Sequence, residues 1–138
     1  MKLNAEWITG FVDGEGCFHV SVNSHKEMSV GYQVLPEFTV VQHKRDAKLL
    51  EALKSFFKCG VVRVNHGDRL AFRVRSLKDL ASVIVPFFKK YPLNSTKKED
   101  FESFCKALSL IQAGEHLTDT GIKKIRTIKS QMNRGKLR

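Results

Sequence analysis

Three cysteines in 138 residues are too few and too scattered to staple a fold. Cys17, Cys59 and Cys105 are odd in number and lie far apart, which excludes a disulfide framework and a zinc knuckle. The five histidines show no metal-ligand spacing on one element, so zinc is not inferred from them. No apolar run approaches the ~20 residues that cross a bilayer. The opening MKLNAEWITG is interrupted by Asn4 and Glu6, so it lacks the apolar centre of a secretory signal. The expectation is a soluble, reducing, intracellular setting with no membrane partner: a bacterial cytoplasm or an organelle. No internal repeat is visible, and the acidic stretch Asp13-Gly14-Glu15-Gly16 occurs once.

Acid is also scarce. Fourteen Asp and Glu stand against 24 Lys and Arg, a net charge of +10. An excess of this size favours a polyanionic partner such as DNA or RNA. A generic basic structural protein would share it. The excess is uneven, because residues 109–138 carry half of it in under a quarter of the length. The chain is otherwise globular in composition, 42% hydrophobic, and its length suits a single domain over 1–138. A basic helical segment is expected at about 115–138.

The pattern along the chain predicts helix, two strands, helix, two strands, then helices. Asn4 can cap a helix over 4–13, with Glu6 in its first turn and Trp7, Ile8, Phe11 and Val12 as apolar bulk. CFHVSV (17–22) alternates as a half-buried strand, and 32–42 reads as a second, with an edge or bulge near Pro36. Leu49, Leu50, Leu53, Phe56 and Phe57 recur at helical spacing over 45–57, and Gly60 stops that helix. Residues 61–65 and 69–75 form a hairpin around His66-Gly67-Asp68, with Leu70, Phe72 and Val74 on one face and Arg69, Arg73 and Arg75 on the other. Ser76 caps a helix over 77–88, which Pro86 strains or ends. A loop (89–100) leads to a helix over 98–113. A basic helix of about 118–132 precedes the end NRGKLR. Trp7 and the phenylalanine stripe read as core. One-sided strands fit an α+β fold with an antiparallel sheet covered by helices on one face only. The uncovered face, lined with Arg and polar residues, can enter a DNA major groove.

Ile8-Thr9-Gly10-Phe11-Val12-Asp13-Gly14-Glu15-Gly16 resembles the LAGLIDADG motif of homing endonucleases, in its GFxDGEG form. The likeness continues through PEFTVVQHKRD (36–46), FFKKYPLNSTKKEDFESF (87–104) and HLTDTGIKKIRTIKSQMN (116–133). The resemblance implies the αββαββα fold with a saddle-shaped antiparallel sheet. It also implies a magnesium-dependent endonuclease that makes a staggered double-strand break, leaving 3′ overhangs, in a long pseudo-palindromic DNA target, as in group I intron homing. A single motif implies a homodimer, in which Gly10 and Gly14 let the first helix approach its twin.

By the same resemblance Glu15 is the metal-binding catalytic acid, and Asp13 is structural, near the helix end or at the dimer interface. Hydrolysis of a phosphodiester needs a metal to activate water and to stabilise charge on the leaving oxygen, and Mg²⁺ suits carboxylate and phosphate oxygens. Gln42 matches a polar residue placed near the hydrolytic water, and an ordinary DNA-face glutamine is an equal alternative. Lys97 and Lys98 are the candidates for a catalytic-centre lysine, Lys97 preferred, with Lys89 and Lys90 as alternatives. Candidate DNA contacts are His19, Ser21, Asn23, Gln33, Glu37, Thr39, Arg63, Arg69, Arg73 and Arg75 on the strands. Ser24, His25, Lys26 and His66 in loops can extend that footprint. Lys123, Lys124, Arg126 and Lys129 suit backbone phosphate. The competing reading keeps the scaffold without the cutting: an intron-RNA splicing factor (maturase) or a DNA-binding regulator.

Overall fold

A computed structural model describes residues 1–133. Residues 134–138, the basic end expected after the last helix, lie outside the described residues. The elements run α1 (Ala5–Glu15), β1 (Gly16–Ser24), β2 (Tyr32–His43), α2 (Ala47–Phe57), β3 (Val61–His66) and β4 (Arg69–Val74). Then come α3 (Leu77–Asp79), α4 (Val85–Lys90), α5 (Lys97–Gln112) and α6 (Asp119–Ser130). The four strands form one antiparallel sheet in the order β1-β2-β4-β3. The fold is mixed α and β, as the alternation required. No helix among the described residues is long and apolar enough to cross a membrane.

The chain falls into two compact units, each made of separated segments. The first comprises 1–17 and 37–98. Asn4 caps α1, its side chain accepting from the Trp7 amide at 2.8 Å. The helix buries Ile8 and Val12, and it runs through Gly14 to Glu15, two residues further than expected. Register in the sheet follows from pairs such as Thr39 with Arg73 and Val40 with Phe72. Phe38, Val40, Phe72 and Val74 face inward with Leu50, Leu53, Leu80, Ile84 and Phe88. Phe38 packs on Phe57, Phe72 and Phe88 at centroid distances of 6.4, 6.4 and 5.6 Å. Rings at such distances add about 0.5–1.5 kcal/mol per pair beyond their burial.

Four local expectations are corrected here. Trp7 is not core: it is 44% exposed on the side of α1 away from Ile8 and Val12, stacked on Phe11 at 5.0 Å. The helix after β2 is closed by Lys58, whose φ of 58° is left-handed, before Gly60 is reached. Gly60, at φ 83°, instead makes a close approach, since a Cβ there would lie 2.6 Å from the Phe72 ring and 2.7 Å from the Arg73 carbonyl oxygen. Pro86 does not end its helix. Residues Leu80–Ile84 form a wide π-helical turn, in which the Val85 amide reaches back to Leu80, and Pro86 falls in the first turn of α4. A missing N–H costs nothing there, and helix continues to Lys90.

The second unit comprises 18–36 and 99–138. Phe18 is fully buried, with the Phe101 and Phe104 rings 5.3 and 5.4 Å away. Ala107, Leu108, Ile111, Ile122 and Ile125 complete its core. Thr118 caps α6 by accepting from the Gly121 amide at 2.9 Å. Gly121 is dictated by space: a Cβ there would sit 1.7 Å from the Glu115 carbonyl oxygen. Pro36 lies in β2 just before the ladder to β4 begins at Phe38, so its missing N–H removes no bond of that ladder.

Candidate active site and nucleic-acid face

The site is built where α1 ends. Helix passes to strand without a loop, because Gly16 closes α1 and opens β1. A Cβ at Gly16 would be 2.6 Å from a Val12 methyl, so only glycine fits this junction. The last turn of α1 therefore presents Asp13 and Glu15 at a helix C-terminus. Carboxylates are disfavoured there by the partial negative charge of the unpaired carbonyls. No basic residue in that turn offsets it.

Asp13 finds its compensation in the segment ahead of α5. Its carboxylate accepts from the Asn94 amide at 3.0 Å, the Ser95 amide at 2.9 Å and the Ser95 hydroxyl at 2.7 Å. Burial pushes the Asp13 carboxyl up, but the Ser95 amide and hydroxyl, the Asn94 amide and the Lys97 charge outweigh it. The net effect holds Asp13 below its ordinary value. Glu15 finds no such partner. It is exposed, and its carboxylate has no hydrogen bond or ion pair among the described residues.

Lys97 completes the arrangement. It opens α5, where a cation meets the positive helix end. Its ammonium turns away and donates to the Gly16 carbonyl, beside Glu15 in the chain. The Ser95 hydroxyl also accepts from the Lys97 amide at 3.2 Å. Asp13, Ser95, Lys97 and Gly16 are thus one connected group. Lys98, exposed, contributes only its amide to the Ser95 carbonyl, which separates the two lysines. Lys89 and Lys90 lie exposed at the end of α4, and Lys90 sits 5.5 Å from the Tyr91 ring. Gln42 pairs with Leu70 on the inward side of the ladder, at the end of β2. It is half-buried, and no hydrogen bond joins it to Asp13, Glu15 or Lys97. Asn94 and Ser95 were missed from sequence, where they read only as loop.

The LAGLIDADG endonuclease family model matches residues 8–108. The chain belongs to that family. A crystal structure of the homing endonuclease I-TnaI is 51% identical, superposes with a TM-score of 0.92, and covers 96% of this chain and 90% of its own. The LAGLIDADG homing endonuclease I-SmaMI, in a crystal structure bound to cleaved DNA, is 38% identical with a TM-score of 0.93. That match covers 96% of this chain and 44% of I-SmaMI. A probable intron-encoded endonuclease of Neurospora crassa is 32% identical over 91% of this chain and 26% of its own length. A protein of Podospora anserina ND4 intron 1 is 38% identical over 84% of this chain and 26% of its own. The chain thus spans about a quarter of these curated relatives.

In this LAGLIDADG chain the strand residues named as DNA contacts divide sharply. Arg63 and Arg69 are exposed on β3 and β4. Arg73 is held by Asn65, donating to its Oδ1 at 2.9 Å. Glu37 is not exposed as a base contact requires: it is 7% accessible and accepts from Arg75 Nε at 2.5 Å. The Thr39 hydroxyl is buried without a hydrogen-bond partner. On β1 the Ser21 hydroxyl donates to the Leu35 carbonyl at 3.4 Å and Asn23 donates to Ser21 at 3.3 Å. Asn23 is exposed, whereas His19 and Gln33 are half-buried. On α6, Lys123 is exposed, Lys124 pairs with Glu115 at 3.4 Å, and Arg126 stacks 4.8 Å over Tyr32. Only the first of these three keeps its charge wholly uncommitted.

Proposed function

We propose that the protein is a site-specific DNA endonuclease acting as a pair of identical subunits with divalent metal. The carrying observation is Glu15: an exposed, unpartnered carboxylate at the negative end of α1, beside a lysine-bound carbonyl. Such a carboxylate favours a cation. Its hard oxygens fit Mg²⁺, which binds through one or two carboxylates plus phosphate and water and needs no protein cage. Among the described residues no three His, Cys, Asp or Glu cluster as a cage. Bound there, the metal would supply an activated water and charge stabilisation at the phosphate. The chain's own part is to place Glu15 through the α1–β1 junction, and to hold the Lys97 ammonium where it can oppose charge gathering on phosphate. Gln42, through its amide, can orient water.

Pairing is supported by the outer face of α1. Gly10 and Gly14 are exposed, and a Cβ on either would meet nothing within 4 Å. Nothing inside the chain requires glycine at these places, whereas a close helix–helix approach does. Trp7 and Phe11 add a stacked apolar surface to the same helix. A two-fold pair would read a pseudo-palindromic site. The match to less than half of I-SmaMI fits two such chains doing the work of one longer one.

The test is a cleavage selection on randomised duplex DNA in Mg²⁺. The expected products come from one pseudo-palindromic consensus, with staggered cuts and 3′ overhangs. Assisted splicing of an intron RNA with no cleaved DNA would assign the maturase role instead.

A further inference from the structure

Glu37 and Thr39's neighbour Arg73 belong to a polar cluster that the cutting chemistry leaves unused. Glu37 is the only buried charged side chain among the described residues. Burying a carboxylate is costly, and an ion pair that repays the cost adds little stability over apolar packing. What such a pair does supply is fixed orientation. Arg75 Nε donates to Glu37 Oε1 at 2.5 Å, and Arg73 Nε lies 4.0 Å from the same oxygen. The two arginines then differ. The Arg73 side chain, tied also to Asn65, is 21% exposed, whereas that of Arg75, tied through Nε, is 58% exposed. Arg75 keeps both terminal nitrogens for an outside acceptor. It lines an open concavity of about 910 Å³ with Arg63, Arg73 and Ser76.

We propose that Glu37 is a positioning residue that holds Arg75 as a preset fork for the major-groove edge of a guanine. The paired terminal nitrogens match the O6 and N7 acceptors of that base. An arginine fixed beforehand loses less freedom on contact. The inference rests on the DNA-cutting reading and names a part of its specificity. Glu37 lies five residues along β2 from Gln42. At ~3.3 Å per residue, against ~3.4 Å per base step, the guanine falls roughly five base pairs further out than the bases beside Gln42, once in each half-site.

The experiment compares selected binding sites of the full chain, of Glu37→Gln, Glu37→Asp and Arg75→Lys, and of the double variant Glu37→Gln/Arg75→Lys. Randomised duplex DNA is the probe, in Ca²⁺ to separate binding from cutting, with thermal melting as a check on folding. The expected result is a guanine at one symmetric pair of positions in the parent consensus. Glu37→Gln and Arg75→Lys each weaken that preference roughly tenfold at that pair alone. The double variant loses no more than either single one, and Glu37→Asp recovers part. An equal loss of affinity for all sequences, or an unchanged consensus in Glu37→Gln and Arg75→Lys, overturns the positioning role alone. No consensus for the parent chain overturns the DNA-site reading together with it.

Discussion

Asp13 and Glu15 are two carboxylates in one helical turn, and they live in opposite surroundings. Asp13 takes hydrogen bonds from two amides and a hydroxyl ahead of α5. Glu15 takes none. Both stand at the end of α1 that disfavours acid, but only Asp13 is compensated inside the chain. The difference teaches where to look for chemistry in a pair of like residues. The fold consumes one acid to lock two helix ends together and leaves the other with its attraction for a cation unspent.

Substitutions at the two positions should therefore break different things. Glu15→Gln should lower DNA cleavage by about 10³-fold or more while DNA binding and the melting temperature stay put. A drop in melting temperature as large as that of Asp13→Asn would erase the contrast. Lys97→Met should cost about 10²-fold in cleavage rate with a modest loss of stability, measured in single-turnover digests of the selected site. Asp13→Asn should lose about 1–2 kcal/mol of stability in urea titrations, with cleavage falling only as the Lys97 segment loosens. That loss carries a pH signature. Asp13 is held below its ordinary value, so its contribution is complete above the carboxyl pKa of the unfolded chain. It fades as pH falls through the lower folded value, and the melting curves of the parent and Asp13→Asn should then converge. The smallest effect belongs to Ser95→Ala, about 0.5–1 kcal/mol, since the two amides remain on Asp13. If that variant equalled Asp13→Asn, the hydroxyl would be the main anchor.

Much of this contrast could be read in the sequence, but not its cause. Asn4 as a cap and the alternation of Leu70, Phe72 and Val74 gave α1 and the β3–β4 face, because both signals are local. The motif singled out both acids, and family likeness ranked them. What ranked them physically lay about eighty residues away, in the Asn94 and Ser95 amides. Backbone donors carry no signature in the side-chain pattern. Trp7 was misread for a related reason: large apolar residues at helical spacing look like core whether the chain covers them or not. Glu37 failed in the opposite direction. Strand alternation put it on the polar side, while two arginines across the ladder close over it. Lys58 in the left-handed region follows from the turn it must make, which the nearby Gly60 obscured.

The wide turn at Leu80–Ile84 acts as a phase corrector for the helix that carries it. An α-helix advances about 100° per residue, so residues four apart slip about 40° and residues eight apart about 80°. Leu80, Ile84 and Phe88 are spaced by four, and all three are buried. The extra residue taken up in one loosened turn absorbs that slip and keeps Phe88 against Phe38, 5.6 Å away. Removing one residue from the turn, such as Ala81, would restore ordinary winding and swing Phe88 out of the aromatic cluster. The length of this segment is thereby set to the residue, although no single side chain in the turn demands it.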